Sequence, residues 1–158
     1  MSDKNLTQQL VLIVDNVRSV LNVGSFFRTA DATRVNEIFL CGYTPTPDKN
    51  DMSKTALGAE ATVKWRYFAH TWRAIEHARS EGLQIVALEQ SPKSINYLEF
   101  SPKFPVALII GNEVDGISPK ILERCDTAIE LPMHGTKESL NVAVALGIAL
   151  YKLNESRQ

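Results

Sequence analysis

Val106-Ala107-Leu108-Ile109-Ile110 is an unbroken apolar run, rich in β-branched residues and bounded by Pro105 and Gly111. Apolar residues with no polar alternation over that length mark a strand covered on both faces. Residues 10–14 and 85–88 have the same character. Between these runs the spacing becomes helical. Val23, Phe26, Phe27 and Ala30 share one side of a helix predicted over residues 23–33. A second helix is predicted over 71–81, ended by Gly82. A third covers 140–153, with Leu140, Val144, Ile148 and Tyr151 near one stripe. Further strands are expected at 37–41, 63–68 and 127–131, and a short helix from Pro119. Residues 42–53, with Pro45, Pro47, Asp48, Asn50 and Asp51, read as an exposed loop, and 91–103 as mostly irregular. Strands alternating with helices predict an α/β domain with a mainly parallel sheet and helices on both faces. Ligands of such sheets sit outside the carboxyl ends of the strands. The loops after residues 110 and 131 therefore fall on the ligand side.

The 158 residues are enough for one domain with a sizeable core, and a single domain over 1–158 is expected. No apolar run approaches the roughly 20 residues of a membrane helix. The polar start at residues 1–5 does not resemble a signal peptide. Two cysteines, Cys41 and Cys125, both in apolar settings, indicate neither a disulfide framework nor a zinc site. No metal and a reducing, cytoplasmic address are expected. The net charge of −1 does not advertise nucleic acid, but residues 1–80 hold ten Lys or Arg against eight acids. Arg18, Arg28, Arg34, Lys54 and Arg66 are candidates for a local patch able to bind phosphate.

Three polar loops follow or precede apolar elements. Gly111-Asn112-Glu113-Val114-Asp115-Gly116 leaves the strongest strand, and its terminal glycines permit close backbone approach to a ligand. Asn22-Val23-Gly24 precedes Arg28, a lone cation on a helix rich in Phe and Ala. Gly135 leads to Ser139-Leu140-Asn141 at the start of the last helix, where free amides attract ligand oxygens. Taken singly, Asn22 and Ser139 read as helix N-caps. Asn141 falls inside the helix, where Asn gains little. The nucleotide-binding fingerprints Gly-x-Gly-x-x-Gly and Gly-x-x-x-x-Gly-Lys-Ser/Thr are missing, which disfavours a pyrophosphate cradle. His70, His77 and His134 have no metal-ligand spacing, and no Ser-His-Asp arrangement stands out.

The order and spacing of the three loops carry more than any one of them. Asn22-Val23-Gly24 through Arg28-Thr29-Ala30, then Ile110 through Ser118, then Leu131 through Ala145 resemble the three motifs of the SpoU/TrmH family of SPOUT RNA methyltransferases. The resemblance spans about residues 10–153. It implies a SPOUT fold with a C-terminal deep trefoil knot, S-adenosylmethionine as cofactor, RNA (tRNA or rRNA) as partner, and a homodimer with no membrane association. The implied activity is methylation of a ribose 2′-hydroxyl. Base-nitrogen methylation and a non-catalytic RNA-binding module are the alternatives. No N-terminal RNA-binding extension of the kind found in larger family members is expected.

Carried over residue by residue, the resemblance implies a catalytic set of Asn22, Arg28, Glu113, Ser139 and Asn141. The cofactor would rest among Leu88, Glu89, Gly111, Asn112, Gly116, Ile129, Leu131, Met133, Ser139 and Leu140. RNA would meet Arg18, Arg28, Arg34, Lys54 and Arg66. A guanidinium hardly gives up its proton, since its pKa lies above about 12. Arg28 is therefore read as a phosphate clamp that stabilises the developing alkoxide, with Asn22 and Ser139 orienting the reactants and Glu113 fixing its loop. Arg34 stands where the family often has Gly, so either the first helix ends differently, near Asn36, or Arg34 is held there to touch RNA.

Overall fold

The apolar runs assemble into one seven-stranded sheet, every pairing parallel, in the order β3-β2-β1-β6-β4-β7-β5. The strands are β1 (Leu10–Asp15), β2 (Glu37–Cys41), β3 (Trp65–Phe68), β4 (Gln84–Leu88), β5 (Ile95–Asn96), β6 (Val106–Ile110) and β7 (Thr127–Glu130). The computed structural model describes residues 7–157, so the polar start at 1–5 lies outside the described residues. β6 lies at the centre, with Leu108 level with Leu12 of β1 and with Val86 of β4. Every residue of β1, β2 and β6 is buried. That burial is why these strands lack polar alternation.

Alternate side chains feed two apolar layers. Leu10, Leu12, Val14, Ile38, Leu40, Leu108 and Ile110 pack with α1 (Val20–Ala32), α2 (Ser53–Ala56), α3 (Ala59–Thr62) and α6 (Val142–Asn154). Val11, Ile13, Phe39, Ile85 and Ile109 pack on the other face against α4 (Thr71–Ser80) and α5 (Pro119–Leu122). Helices thus cover both faces, as the alternation of strands and helices predicts. No helix among the described residues is long and apolar enough to cross a membrane.

Several local expectations are corrected. Residues 42–53 are not simply exposed, because Thr44, Thr46 and Met52 are buried. Thr44 Oγ1 accepts from the Val17 amide at 3.1 Å and donates to the Cys41 carbonyl at 2.7 Å, which pins the loop beneath the sheet edge. The strand expected at 63–68 starts at Trp65, since 59–62 is helical. Helix α1 ends at Ala32 rather than near Asn36, and Arg34 takes a left-handed conformation with φ of 56°. Val35 N–H donates to the Ala30 carbonyl at 2.9 Å and Arg34 N–H to that of Asp31 at 3.3 Å, the paired bonds of a Schellman end. A side chain there costs about 1 kcal/mol that glycine would avoid.

Arg157 offsets part of that strain. Its guanidinium donates to the carbonyls of Gln8, Thr33 and Arg34, each at 3.0 Å, and to Oδ1 of Asn36 at 3.2 Å. One cation near the carboxyl end therefore satisfies the turn that closes α1.

Candidate active site

A cavity of about 530 Å³ opens at the carboxyl ends of β4, β6 and β7, against the start of α1 and α6. Its size falls in the usual range for small-molecule sites. Leu88 ends β4 and Glu89 follows it, and the turn after β6 supplies Gly111, Asn112, Glu113 and Gly116. The segment between β7 and α6 supplies Leu131, Met133, Ser139, Leu140 and Asn141, and Asn22 enters from α1. These four regions, far apart in sequence, meet in one place.

The turn after β6 is rigid. The Asn112 N–H donates to the Gly116 carbonyl at 3.2 Å, and the Gly116 N–H to the Asn112 carbonyl at 2.9 Å. Asn112 Oδ1 accepts from the amides of Val114 and Asp115 at 2.8 and 2.9 Å, while its Nδ2 donates to the Asn16 carbonyl and to Tyr43 Oη. Gly111 has no room for a side chain, since a Cβ would lie 2.5 Å from the Gly116 carbonyl carbon and 2.6 Å from the Ile117 nitrogen. Glu89 ties the turn to β4, its Oε2 accepting from the Ile117 amide at 2.6 Å.

Glu113 bridges this turn to α1. Its Oε1 accepts from the Arg18 amide at 3.1 Å, and its Oε2 from the Ser19 amide at 2.9 Å and from Asn22 Nδ2 at 3.4 Å. Asn22 Oδ1 in turn accepts from Asn141 Nδ2 at 3.5 Å. The last two contacts are at the long end of the hydrogen-bonding range. Together they join Glu113, Asn22 and Asn141 across the three loops. Partial burial opposes ionisation of Glu113, but the hydrogen bonds from backbone amides, with that from Asn22, outweigh it and hold the carboxyl below its ordinary range.

A depressed folded-state pKa means the carboxylate stabilises the fold above the unfolded value of about 4.3, and that contribution fades as pH falls through the folded value. Glu113→Gln is accordingly expected to lower stability by about 1 kcal/mol at neutral pH. The difference from wild type should shrink below about pH 4. Thermal unfolding followed between pH 3 and 7 checks both; a constant difference across that window would contradict the assignment.

The capping pattern differs from the expected one. Ser19, not Asn22, caps α1, accepting from the Asn22 amide at 3.1 Å. Asn141, not Ser139, caps α6, its Oδ1 accepting from the amides of Ala143 and Val144 at 2.8 and 3.3 Å. Asn141 thus has a clear structural task, contrary to the expectation from its residue type. The Ser19 cap was legible as a serine placed just ahead of an apolar periodic run.

Six predicted site residues do not line the cavity. Ile129 is buried in the core of β7 and contributes its carbonyl, which accepts from the Glu89 amide at 3.0 Å. Arg28 is exposed on α1, does not line the cavity, and has no hydrogen-bond or ion-pair partner among the described residues. Lys54 lies on α2, and Arg34 closes α1. Arg66 is committed elsewhere: its Nε and Nη2 donate to Glu37 at 2.7 and 3.0 Å, with the guanidinium 5.0 Å from the Phe39 ring centre. The hydrogen bond to Glu37 raises its pKa further. Arg66 thus forms an ion pair with Glu37 across β2 and β3. Arg18 remains accessible, 5.3 Å over the Tyr43 ring.

An open parallel sheet with a carboxyl-end cavity walled by three loops defines a small-molecule-binding α/β protein. The chain belongs to the SpoU rRNA Methylase family, whose model matches residues 9–151. The tRNA (guanosine(18)-2′-O)-methyltransferase of Aquifex aeolicus is 32% identical over 154 residues, covering 96% of this chain and 71% of that protein. The 23S rRNA (guanosine-2′-O-)-methyltransferase RlmB of Neisseria meningitidis serogroup B is 32% identical over 155 residues, 98% of this chain and 62% of that one. The crystal structure of an AdoMet-bound rRNA methyltransferase from Sinorhizobium meliloti superposes with a TM-score of 0.86 at 29% identity, covering 93% of this chain and 56% of that one. The chain therefore spans a little over half to about seven-tenths of these relatives.

Proposed function

We propose that this protein is an S-adenosylmethionine-dependent RNA methyltransferase acting on a ribose 2′-hydroxyl of tRNA or rRNA, as a homodimer in the cytoplasm. The observation that carries the reading is the contact of Glu113, Asn22 and Asn141 across three loops at the rim of one cavity. The relatives named for tRNA and rRNA 2′-O-methylation support it.

The cavity suits the cofactor. Leu88, Leu131, Met133 and Leu140 supply apolar wall, while Glu89 and the backbone around Gly111 and Ser139 supply polar groups. The absence of a Cβ at Gly111 is what lets the turn close. When bound, S-adenosylmethionine supplies a sulfonium methyl already activated toward attack. The residues of this chain then have to position a sugar hydroxyl and stabilise the charge it develops, which is where most of the acceleration can arise. Arg28 serves as the electrostatic clamp on the adjoining phosphate and the forming alkoxide. Asn22 and Ser139 orient the hydroxyl, and Glu113 holds the start of α1 against the turn after β6.

An exposed apolar stripe on α6 supports the pairing of two copies. Val144, Ile148 and Tyr151 are exposed along one stripe that begins at Leu140 on the cavity rim, and Leu21 of α1 is exposed as well. Burying that stripe against a second copy would remove these apolar side chains from water. A knot formed by the second and third motifs, residues 110–118 and 131–145, is part of the same reading and is supported by the family membership.

Incubation with labelled S-adenosylmethionine and unmodified tRNA and rRNA transcripts, followed by nuclease digestion and mass spectrometry, tests the proposal. A 2′-O-methylnucleoside is expected. A base-methylated product would replace the ribose assignment, and no heat of cofactor binding by calorimetry would end the enzymatic reading.

A further inference from the structure

A second cleft of about 450 Å³ opens beside the first, at the carboxyl ends of β1, β2 and β3. The turn after β6 separates the two, and Asn112, Asp115 and Gly116 line both. At its base lies Asp15, 5% exposed, whose Oδ1 accepts from the Thr71 hydroxyl and from Asn16 Nδ2 at 3.2 Å. Its Oδ2 accepts no hydrogen bond among the described residues. That leaves a nearly buried carboxyl oxygen available to a ligand donor.

The walls are aromatic. His70 and Trp72 rings stand 19° from parallel with centroids 6.2 Å apart, and Tyr43 forms another side. No lysine or arginine lines the cleft. Three guanidiniums stand around it instead: Arg18 over Tyr43 at 5.3 Å, and Arg73 and Arg124 at 4.8 and 5.6 Å from the Trp72 ring centre. A small cation would be drawn by Asp15 and Asp115 but must pass those guanidiniums. A ligand with a flat, neutral, hydrogen-bond-donating part and an anionic outer part meets complementary groups at each level. That is a nucleotide unit, base inward and phosphates outward.

We propose that this cleft binds a nucleobase of the RNA, one close in the strand to the nucleotide held at the first cavity. The base lies against Trp72, presents an N–H edge to Asp15, and leaves its phosphates to Arg18 and Arg73, Arg124 being paired with Glu76 at 3.7 Å. The identification of the polymer as RNA rests on the proposed function; the base-binding chemistry of the cleft does not.

The test uses the full chain carrying Trp65→Phe, so that Trp72 is the sole tryptophan, and RNA decamers of U, A or C as probes. Saturable quenching of Trp72 fluorescence is expected, and it should survive addition of S-adenosylmethionine. In anisotropy titrations Trp72→Ala is expected to weaken decamer binding about tenfold or more, with Trp72→Phe restoring most of it and cofactor affinity unchanged. Absence of quenching with every decamer, or equal affinity of Trp72→Ala and wild type, overturns the proposal. Quenching without methyl transfer to any RNA would leave the cleft standing and remove the enzymatic reading; methyl transfer without quenching would do the reverse.

Discussion

Arg28→Ala is expected to lower methyl transfer by about two to three orders of magnitude while leaving S-adenosylmethionine affinity within about twofold. The dissociation of the two effects follows from placement. Arg28 is exposed on α1 and does not line the cavity, so its removal disturbs no cofactor contact and no bond within the fold. A cation without a partner among the described residues, on a helix otherwise buried through Val23, Phe26, Phe27 and Ala30, contributes little to stability. Its expected contribution is to transition-state charge. Arg28→Lys should recover only a small part of the rate, because a lysine cannot engage two oxygens at once through a planar fork. Single-turnover kinetics together with calorimetric titration of the cofactor check both statements. Near-normal turnover by Arg28→Lys would reduce the role of Arg28 to that of a point charge.

Gly111→Ala should show the opposite pattern, with cofactor binding itself weakened by at least tenfold and stability lowered by about 2–3 kcal/mol. A methyl group at that position would meet backbone atoms of Gly116 and Ile117 at 2.5 and 2.6 Å, and backbone cannot rotate aside as a side chain can. The turn has to open, and Ile117 is then drawn away from Glu89 Oε2. Gly135→Ala provides the control: a Cβ there meets nothing within 4 Å, so stability and cofactor affinity are expected to stay at wild-type values. Thermal unfolding and calorimetry on the two variants test the contrast. Equal behaviour of the two would mean that the turn tolerates expansion and that its tightness is not what shapes the cavity.

The sheet was readable from residues because its strands are buried on both faces, which leaves β1 and β6 as continuous apolar runs. What was hidden lay in contacts between segments distant in sequence. Nothing around Thr44 announces that its hydroxyl bridges Val17 and Cys41, and Arg66 looks like a free cation until Glu37 is brought beside it by the pairing of β2 and β3. The caps were misplaced for a related reason: Asn and Ser at a helix start are interchangeable by propensity, so only the path of the chain decides which one meets the free amides. The three loops of the cavity could be named in advance through their joint spacing. The second cleft could not, because Asp15, Tyr43 and Trp72 form no linear pattern: Asp15 ends β1, Tyr43 follows β2 and Trp72 lies in the first turn of α4.

The guanidinium of Arg157 also has a dynamic consequence. By holding carbonyls at positions 8, 33 and 34 together with Asn36, it ties segments from opposite ends of the described chain into one hydrogen-bonded latch. Fraying of the last turn then releases the amino-terminal edge at the same moment. Hydrogen exchange should therefore report both margins opening as one cooperative unit, with shared protection factors, instead of two independently loosening ends.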